Sequence, residues 1–506
     1  MPASSIAEPE KGSNIPVPDS AMTKENMTNV ELQPGDNELG NTMEVIDPKA
    51  ESRMLRKFDF FAVIPLGILY MMAILDRSNL GNAQIAGMPH DIGLVANQFG
   101  TATTLLYATY VPFEAPVSVL VKSVGPKILI SACSLCWGLV TLGMAFIQDY
   151  KGLYACRLLM GLFEAGLIPA SEVYLALVFN KSERGKRMCL FYTFSCLASA
   201  FGGLLAYGLT QINGPNGFAG WRWLFAVEAA ITIILVPIFY FVFPKSPVDA
   251  WFLTPEEKRI VRLRYDRDPH WAYDEKFSWA EVAKVFRDPK FYAFFIYQFS
   301  INLTQFGFTT FLPAIISGLG YTSVIANLMT VPIYLSALAF FLIMAVSSDR
   351  LIRRGPFMAG PTLLLVIGLT LLVSVKSQKV RFFACFLTAM GIYPSASLSI
   401  MWLQDNAAGF YKRSSMVGLT LTFANTAGVV VGQIFTSDTA PFYRRGLTIC
   451  LGFAVLAFLL VVSLIIGMHL VNKRRERAIQ EAEAAGCPIS PKPEMGDFDT
   501  HYRYVL

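Results

Sequence analysis

From about position 59 onward the sequence returns repeatedly to runs of about 20 apolar residues, the length of helix that crosses a bilayer. Twelve such runs can be placed, at 59–80, 99–120, 126–147, 152–178, 187–211, 221–243, 290–317, 322–346, 357–375, 381–403, 414–436 and 446–471. Hydrocarbon offers the backbone no hydrogen-bond partners, so each run must satisfy its own N–H and C=O groups as a helix. With 54% hydrophobic and only 16% charged residues, the chain is too apolar for a soluble protein of two or three domains. The expected fold class is an all-α polytopic membrane protein.

Basic residues gather in alternate loops. Lys122 and Lys127 follow span 2, and Lys181, Arg184, Lys186 and Arg187 follow span 4. Arg350, Arg353 and Arg354 follow span 8, Lys412 and Arg413 follow span 10, and Lys473, Arg474, Arg475 and Arg477 follow span 12. Cytoplasmic loops carry this excess, which places both termini inside the cell. Lys376, Lys379, Arg381, Arg444 and Arg445 run against the pattern, in short outer loops. Residues 1–57 are polar and lack an apolar signal core, so they read as a disordered cytoplasmic tail, with 472–506 as a second tail. Seven of the eight cysteines lie inside spans and Cys487 lies in the second tail, leaving no extracellular disulfide framework.

The longest connection, 244–289, separates a bundle at 58–243 from one at 290–471. Thr254-Pro255-Glu256-Glu257 has the cap, proline and first-turn acids of a helix start, and Ser278-Trp279-Ala280-Glu281 has a capping-box pattern. Both read as amphipathic helices on the inner face that bundle the two halves. Six spans on either side of a cytoplasmic loop are what the major facilitator fold requires. Ser347–Arg354 after span 8 resembles the inner gating loop of that superfamily, with Asp349 and Arg350 as its acid and base. The matching loop after span 2, Lys122–Lys127, lacks such a pair.

Four ionisable residues lie inside apolar runs: Asp76 and Arg77 in span 1, Arg157 and Glu164 in span 4. Each would cost roughly 2.5–3.5 kcal/mol alone at mid-bilayer depth, so they must share a polar cavity. A spacing of seven returns to nearly the same helical face about 10 Å along the axis, putting Arg157 in the outer third and Glu164 near the middle. Span 1 runs the other way and brings Asp76 and Arg77 to the depth of Arg157. The competing view is a structural ion-pair cluster, for which two buried arginines are a costly means.

Leu75-Asp76-Arg77-Ser78-Asn79-Leu80-Gly81-Asn82, taken with the Arg157 and Glu164 spacing, resembles the anion:cation symporter family of the major facilitator superfamily. Phe113-Glu114-Ala115-Pro116, Leu253-Thr254-Pro255-Glu256-Glu257 and Gly220-Trp221-Arg222-Trp223-Leu224-Phe225 are similar to its fungal allantoate permease branch. The resemblance covers about 55–471 and implies two six-helix bundles. It also implies that Arg77 and Arg157 face a substrate carboxylate while Asp76 and Glu164 take up protons. An acid in a poorly hydrated cavity beside a guanidinium feels opposing pulls on its proton, so a modest change of geometry can switch its charge.

Gln305, Asn302, Asn425 and Tyr107 are further candidates for substrate contact, with interhelical hydrogen bonding as their alternative role. Glu114 and Glu172 approach the cytoplasmic end and are expected to hold the inner gate or loops, and Glu228 is a further acid without an assigned role. The function expected is proton-coupled uptake of a small organic carboxylate such as nicotinate, pantothenate or allantoate. An exporter of an acidic metabolite and a nutrient sensor are the alternatives. Without a phosphate-binding loop, metal cluster or nucleophile constellation, neither an enzyme nor a cofactor is expected, and the coupling ion would be H+. The expected partners are the organic anion and the lipid bilayer, not nucleic acid. A monomer in the plasma membrane is the expectation, with the vacuolar membrane second.

Overall fold

The computed structural model describes residues 46–212, 218–267, 279–351, 353–408, 410–485, 490 and 493–506, and among them every regular element is a helix. Eleven helical stretches are long and apolar enough to cross a membrane. The remaining expected crossing, span 2, forms the 27-residue helix Gln98–Val124, which packs on span 4 of its own half and span 11 of the other. In the first half span 1 packs on spans 5 and 6, and span 3 joins span 6 to span 4. In the second half span 10 packs on spans 7, 8 and 9, while span 12 packs on spans 7 and 9. The halves meet along three seams, span 1 with span 7, span 2 with span 11, and span 5 with span 8.

At the end that the charge distribution marks as outer, these seams are closed by backbone-to-backbone contact. A Cβ on Gly432 of span 11 would sit 1.9 Å from the Gly100 carbonyl oxygen of span 2, and one on Gly81 of span 1 would sit 1.9 Å from that of Thr310 in span 7. Small residues let membrane helices approach this closely. Around the contact Asn97 Nδ2 donates to the Gly432 carbonyl at 3.1 Å and Thr104 Oγ1 to that of Val429 at 2.9 Å.

Two spans are broken near their middles. Span 4 is built from Tyr150–Glu164 and Leu167–Val178, and span 11 from Phe410–Asn425 and Ala427–Ile434. Pro169 has no N–H to donate to the Ala165 carbonyl, so span 4 bends just after Glu164. The Asp149 side chain caps the same span by accepting from Gly152 N at 2.8 Å. In the Gly220–Phe225 motif, Trp221 Nε1 donates to Asp91 at 2.7 Å and Arg222 to the Ala145 carbonyl at 2.9 Å, a role in fastening outer loops.

Three expectations change. The first concerns the tail assigned to 1–57, of which residues 1–45 lie outside the described residues. Pro48–Phe58 is a helix that buries Met54, Leu55 and Phe58 and runs through a wider turn, Asp59–Val63, into span 1. Lys57 of this helix pairs with Glu257 at 2.6 Å, and Asp59 just after it accepts from Arg187 at 2.9 Å.

The second concerns the middle connection, whose two helices, among the described residues, dock on different halves. Pro255–Arg267 packs on Pro48–Phe58 of the first half, and Trp279–Phe286 packs on span 11 of the second. Thr254 and Glu257 form the reciprocal cap of the first helix, Thr254 N to Oε2 at 2.9 Å and Glu257 N to Oγ1 at 3.3 Å. Burial pushes the Glu257 carboxyl up, but Lys57 and Thr254 outweigh it and hold it below its ordinary range. Ser278 lies outside the described residues.

The third concerns the second tail. Span 12 continues as one helix to Ala484, and the segment from Pro493 folds back onto the inner end of the second half. Trp402 Nε1 donates to the Val505 carbonyl at 2.7 Å, Val505 N to Asn406 at 2.8 Å, and Tyr504 N to Asn472 at 2.9 Å. Asp497 is 1% exposed and accepts from Lys290 at 2.6 Å and Lys412 at 2.7 Å. Burial pushes its carboxyl up, but the two ammonium groups outweigh this and hold it below the usual carboxylate range. The clamp is therefore at full strength near neutral pH and weakens only as pH falls through that lowered value. Cys487 lies outside the described residues.

Two outcomes test these contacts. Gly432→Val should hold the outer ends of spans 2 and 11 apart, so cysteines introduced between them should be labelled by a membrane-impermeant thiol reagent faster than in the Gly432 protein. Lys412→Met strips Asp288 and Asp497 of a buried partner. It should lower unfolding stability by about 3–5 kcal/mol, read as a lower thermal midpoint in detergent.

Candidate functional site

The site grows from the last third of span 1 and the first helix of span 4. The break in span 4 leaves Glu164 as the final residue of its helix, and Gly161 lets that helix press on span 2, where a Cβ would meet the Leu106 carbonyl oxygen at 2.0 Å. Arg77 reaches across from span 1 and donates from Nε to Glu164 Oε2 at 2.7 Å. Its guanidinium lies 4.6 Å from the ring centre of Tyr110 and 5.7 Å from that of Tyr107, both on span 2. Aromatic faces of this kind hold a cation where water is excluded.

Arg157 is different. It is 1% exposed, and its one side-chain hydrogen bond among the described residues is a weak one, from Nη1 to the Met160 sulfur at 3.6 Å. Nε and Nη2 are buried with no hydrogen-bond partner. These two nitrogens form the side edge of the guanidinium, the fork that matches both oxygens of a carboxylate. Asp76 is fully buried, and neither of its oxygens is hydrogen-bonded. It stands in the electrostatic field of Glu164, Arg157 and Arg77. A buried charge stripped of its partner costs about 3–5 kcal/mol, so two unpartnered guanidinium donors at this depth are a feature that calls for a counter-charge.

The structure therefore brings Asp76, Arg77, Arg157 and Glu164 together, as the spacing anticipates. It also adds Glu228 from span 6, fully buried, which accepts a short hydrogen bond on Oε2 from Asn79 Nδ2. Asn79 in turn accepts from Asn82 at 2.9 Å. The sequence signal for Glu228 is weak because the other charge of its helix, Arg222, stands at the helix start and fastens a loop, though an acid in an apolar span is itself a flag.

The secondary candidates divide. Tyr107 sits against both the Arg77 guanidinium and Phe306 of span 7, with ring centres 4.7 Å apart, so it lies where the halves meet at the site. Gln305 beside it is half-buried, and its side chain has no hydrogen-bond partner among the described residues. Asn425 is not a free amide. Its Nδ2 is shared between the oxygens of Glu114 at 3.2 and 3.3 Å and ties span 11 to span 2. Asn302 accepts from Gln298 at 3.3 Å and belongs to the core of the second half. Glu172 accepts from Tyr192 at 3.2 Å.

The gate assignment also needs correction. Asp349 pairs with Arg354, not with Arg350, which is exposed. Arg354 further bonds Asp405 of span 10 at 3.0 Å, and its backbone N donates to the Leu506 carbonyl at 2.7 Å. Arg350 directly follows Asp349 on a helix, where neighbouring side chains point apart, whereas Arg354 lies beyond the helix end and can fold back.

Two six-helix halves closed over a buried polar centre define a membrane transporter. Residues 66–433 match the model of the Major Facilitator Superfamily, and the chain belongs to that superfamily. It is 37% identical over 455 residues to a high-affinity nicotinic acid transporter of Saccharomyces cerevisiae, covering 90% of this chain and 85% of that protein. It is 31% identical over 483 residues to the major facilitator-type transporter hxnP of Emericella nidulans, covering 94% and 97% respectively. Among solved structures, a D-xylose-proton symporter superposes with a TM-score of 0.62 at 13% identity, covering 80% of this chain and 96% of that one. An inward-facing bacterial homologue of the lysosomal transporter Spinster gives the same score at 13% identity, covering 83% and 98%.

The gate assignment has a direct test. Arg354→Ala should cut transport severalfold, while Arg350→Ala should leave it within about twofold, a difference under roughly 0.5 kcal/mol. Initial uptake rates normalised to surface protein measure both.

Proposed function

We propose that this protein is a proton-coupled symporter that takes up a small organic carboxylate across the plasma membrane, with nicotinate the first candidate. The observation that carries the reading is the empty side edge of the Arg157 guanidinium, buried next to Asp76. The likeness to the nicotinic acid transporter supports the choice of ligand. Pantothenate and allantoate present the same carboxylate.

On this reading the substrate carboxylate takes the Nε and Nη2 donors of Arg157, and the rings of Tyr107 and Phe306 offer an apolar face to the rest of it. A bare anion entering this cavity would add uncompensated charge, so an acid beside Arg157 takes up a proton as the anion arrives. One proton with one monovalent anion moves no net charge. Such transport follows the pH gradient and is indifferent to a membrane potential worth about 2.3 kcal/mol per charge per 100 mV. Alternating access follows from rocking of the two halves about the site.

The test is uptake of labelled nicotinate, pantothenate and allantoate into a yeast lacking its own carriers, at acidic and at neutral external pH. Uptake of one of them should rise in acid and collapse with a protonophore. Arg157→Ala should lower it about 100-fold, equivalent to about 2.8 kcal/mol. No uptake of any of the three by protein present at the cell surface would overturn the reading in favour of export or sensing.

A further inference from the structure

Tyr107 stands on span 2 of the first half, yet its ring is placed by the second half. It is 5% exposed, with the Phe306 ring of span 7 at 4.7 Å between centres and the Arg77 guanidinium at 5.7 Å from its own centre. It also meets span 11 at Gly428. A Cβ built on Gly428 would fall directly on the ring atoms Cγ, Cδ1 and Cδ2 of Tyr107, so the ring occupies the space that any other residue would fill. Gly428 is buried within the helix Ala427–Ile434. A helical backbone is open to any residue, so glycine is required there by the close approach of the ring.

The seat is held on both sides. Just before Gly428 span 11 is broken, with Thr426 N donating to the Phe423 carbonyl at 2.9 Å and Val429 N to that of Thr426 at 3.0 Å. Asn425 ties the break to Glu114 of span 2 at 3.2 Å, and the Val429 carbonyl accepts from Thr104 of span 2 at 2.9 Å. These ties bracket Gly428 along the chain. Room for a methyl group at 428 would come either from parting spans 2 and 11, which strains both ties, or from turning the ring about its side-chain bonds. Turning the ring is the smaller change. Phe306 and Tyr110 bound that movement, which leaves the space beside Arg77.

We propose that Gly428 is a positioning residue of the substrate site: by seating the Tyr107 ring it sets the room left for the anion on the aromatic side, and so favours a carboxylate carried on a flat ring. The inference rests on the symport reading and narrows its substrate class. Nicotinate is planar throughout, carboxylate included, and has no torsion with which to avoid a ring pushed into its place. Pantothenate carries its carboxylate on a flexible chain that can bend around the obstruction. Gly428 acts through Tyr107 and touches no substrate atom. The aromatic wall is complete only while spans 2 and 11 are in contact, so this selectivity belongs to the form closed at the outer end.

The test is a double-variant cycle of Gly428→Ala with Tyr107→Leu in the full chain. In yeast lacking its own carriers, it compares the concentrations of nicotinate and of pantothenate that half-saturate uptake or half-inhibit uptake of the other. Gly428→Ala should raise the nicotinate value about tenfold, the low end of the effect of one methyl group in a fitted pocket, and the pantothenate value by less than about threefold. The maximal rate should change by less than about twofold, the mark of lost binding and not of lost turnover. In Tyr107→Leu, adding Gly428→Ala should change neither value, because the glycine works through the ring.

A nicotinate value that rises no more than the pantothenate value, or an effect of Gly428→Ala that survives in Tyr107→Leu, would overturn the proposal. Thermal midpoints in detergent give the same cycle without transport. Gly428→Ala should lower the midpoint of the Tyr107 protein and leave that of Tyr107→Leu unchanged, and an equal fall in both would overturn the contact. Should Gly428→Ala not reach the surface, the doubly substituted protein decides. Restored surface protein with a shifted ratio of the two values supports the seat, whereas protein still absent, or present with the ratio unmoved, overturns it. If the unsubstituted protein binds none of nicotinate, pantothenate and allantoate, the symport reading fails and this selectivity with it. A working symporter whose ratio Gly428→Ala leaves unmoved overturns the seat alone.

Discussion

A guanidinium buried in the middle of a membrane protein with its best donors empty is the constraint around which the rest of this molecule is arranged. Arg157 cannot be solvated by lipid, and the neighbours that could neutralise it are partly committed, Glu164 to Arg77 and Glu228 to Asn79. Span 4 breaks directly after Glu164, Gly161 lets that helix lie against span 2, and the two tyrosines of span 2 wall off Arg77. Each of these features lets opposite charges meet without water. The low dielectric that makes an unmatched charge expensive also makes a matched one strong, so small movements of these helices change the charge balance substantially.

The two ends of the bundle are held by different kinds of force. At the outer end glycine permits carbonyl and Cα to touch across the seams, a contact that is lost abruptly when the helices separate by an ångström or two. At the inner end ion pairs such as Lys57 with Glu257 and Asp349 with Arg354 stay within one half, so they stiffen each half without fastening it to the other. The middle-connection helices follow the same division, one docked on each half. Halves that are rigid within themselves and joined by short-range contacts are suited to moving as bodies.

The fold and the heart of the site were legible in the sequence because both depend on local pattern. Apolar runs of fixed length declare spans, and a seven-residue spacing declares a shared face. What escaped depends on partners far apart along the chain. Glu228 is met by Asn79 of span 1, Asn425 by Glu114, and Asp497 by lysines of spans 7 and 11. Arg350 looked like the partner of Asp349 because it is adjacent, but adjacency on a helix points side chains apart. Pro48–Phe58 and Pro493–Leu506 read as solvated tails because their charges are visible and the counter-charges that bury them are not.

The second half carries its ionic clamp at one extremity, where Pro493–Leu506 binds the inner ends of spans 7, 10, 11 and 12 and touches the base of span 9 through Arg354. Asp76, Arg157, Glu164 and Glu228, all buried, and the part-buried Arg77 belong to the first half, on spans 1, 4 and 6. The two halves are thus alike in outline and unlike in office. One keeps its charges together in its interior, and the other is stapled at its base by a segment that reaches back from beyond its last span.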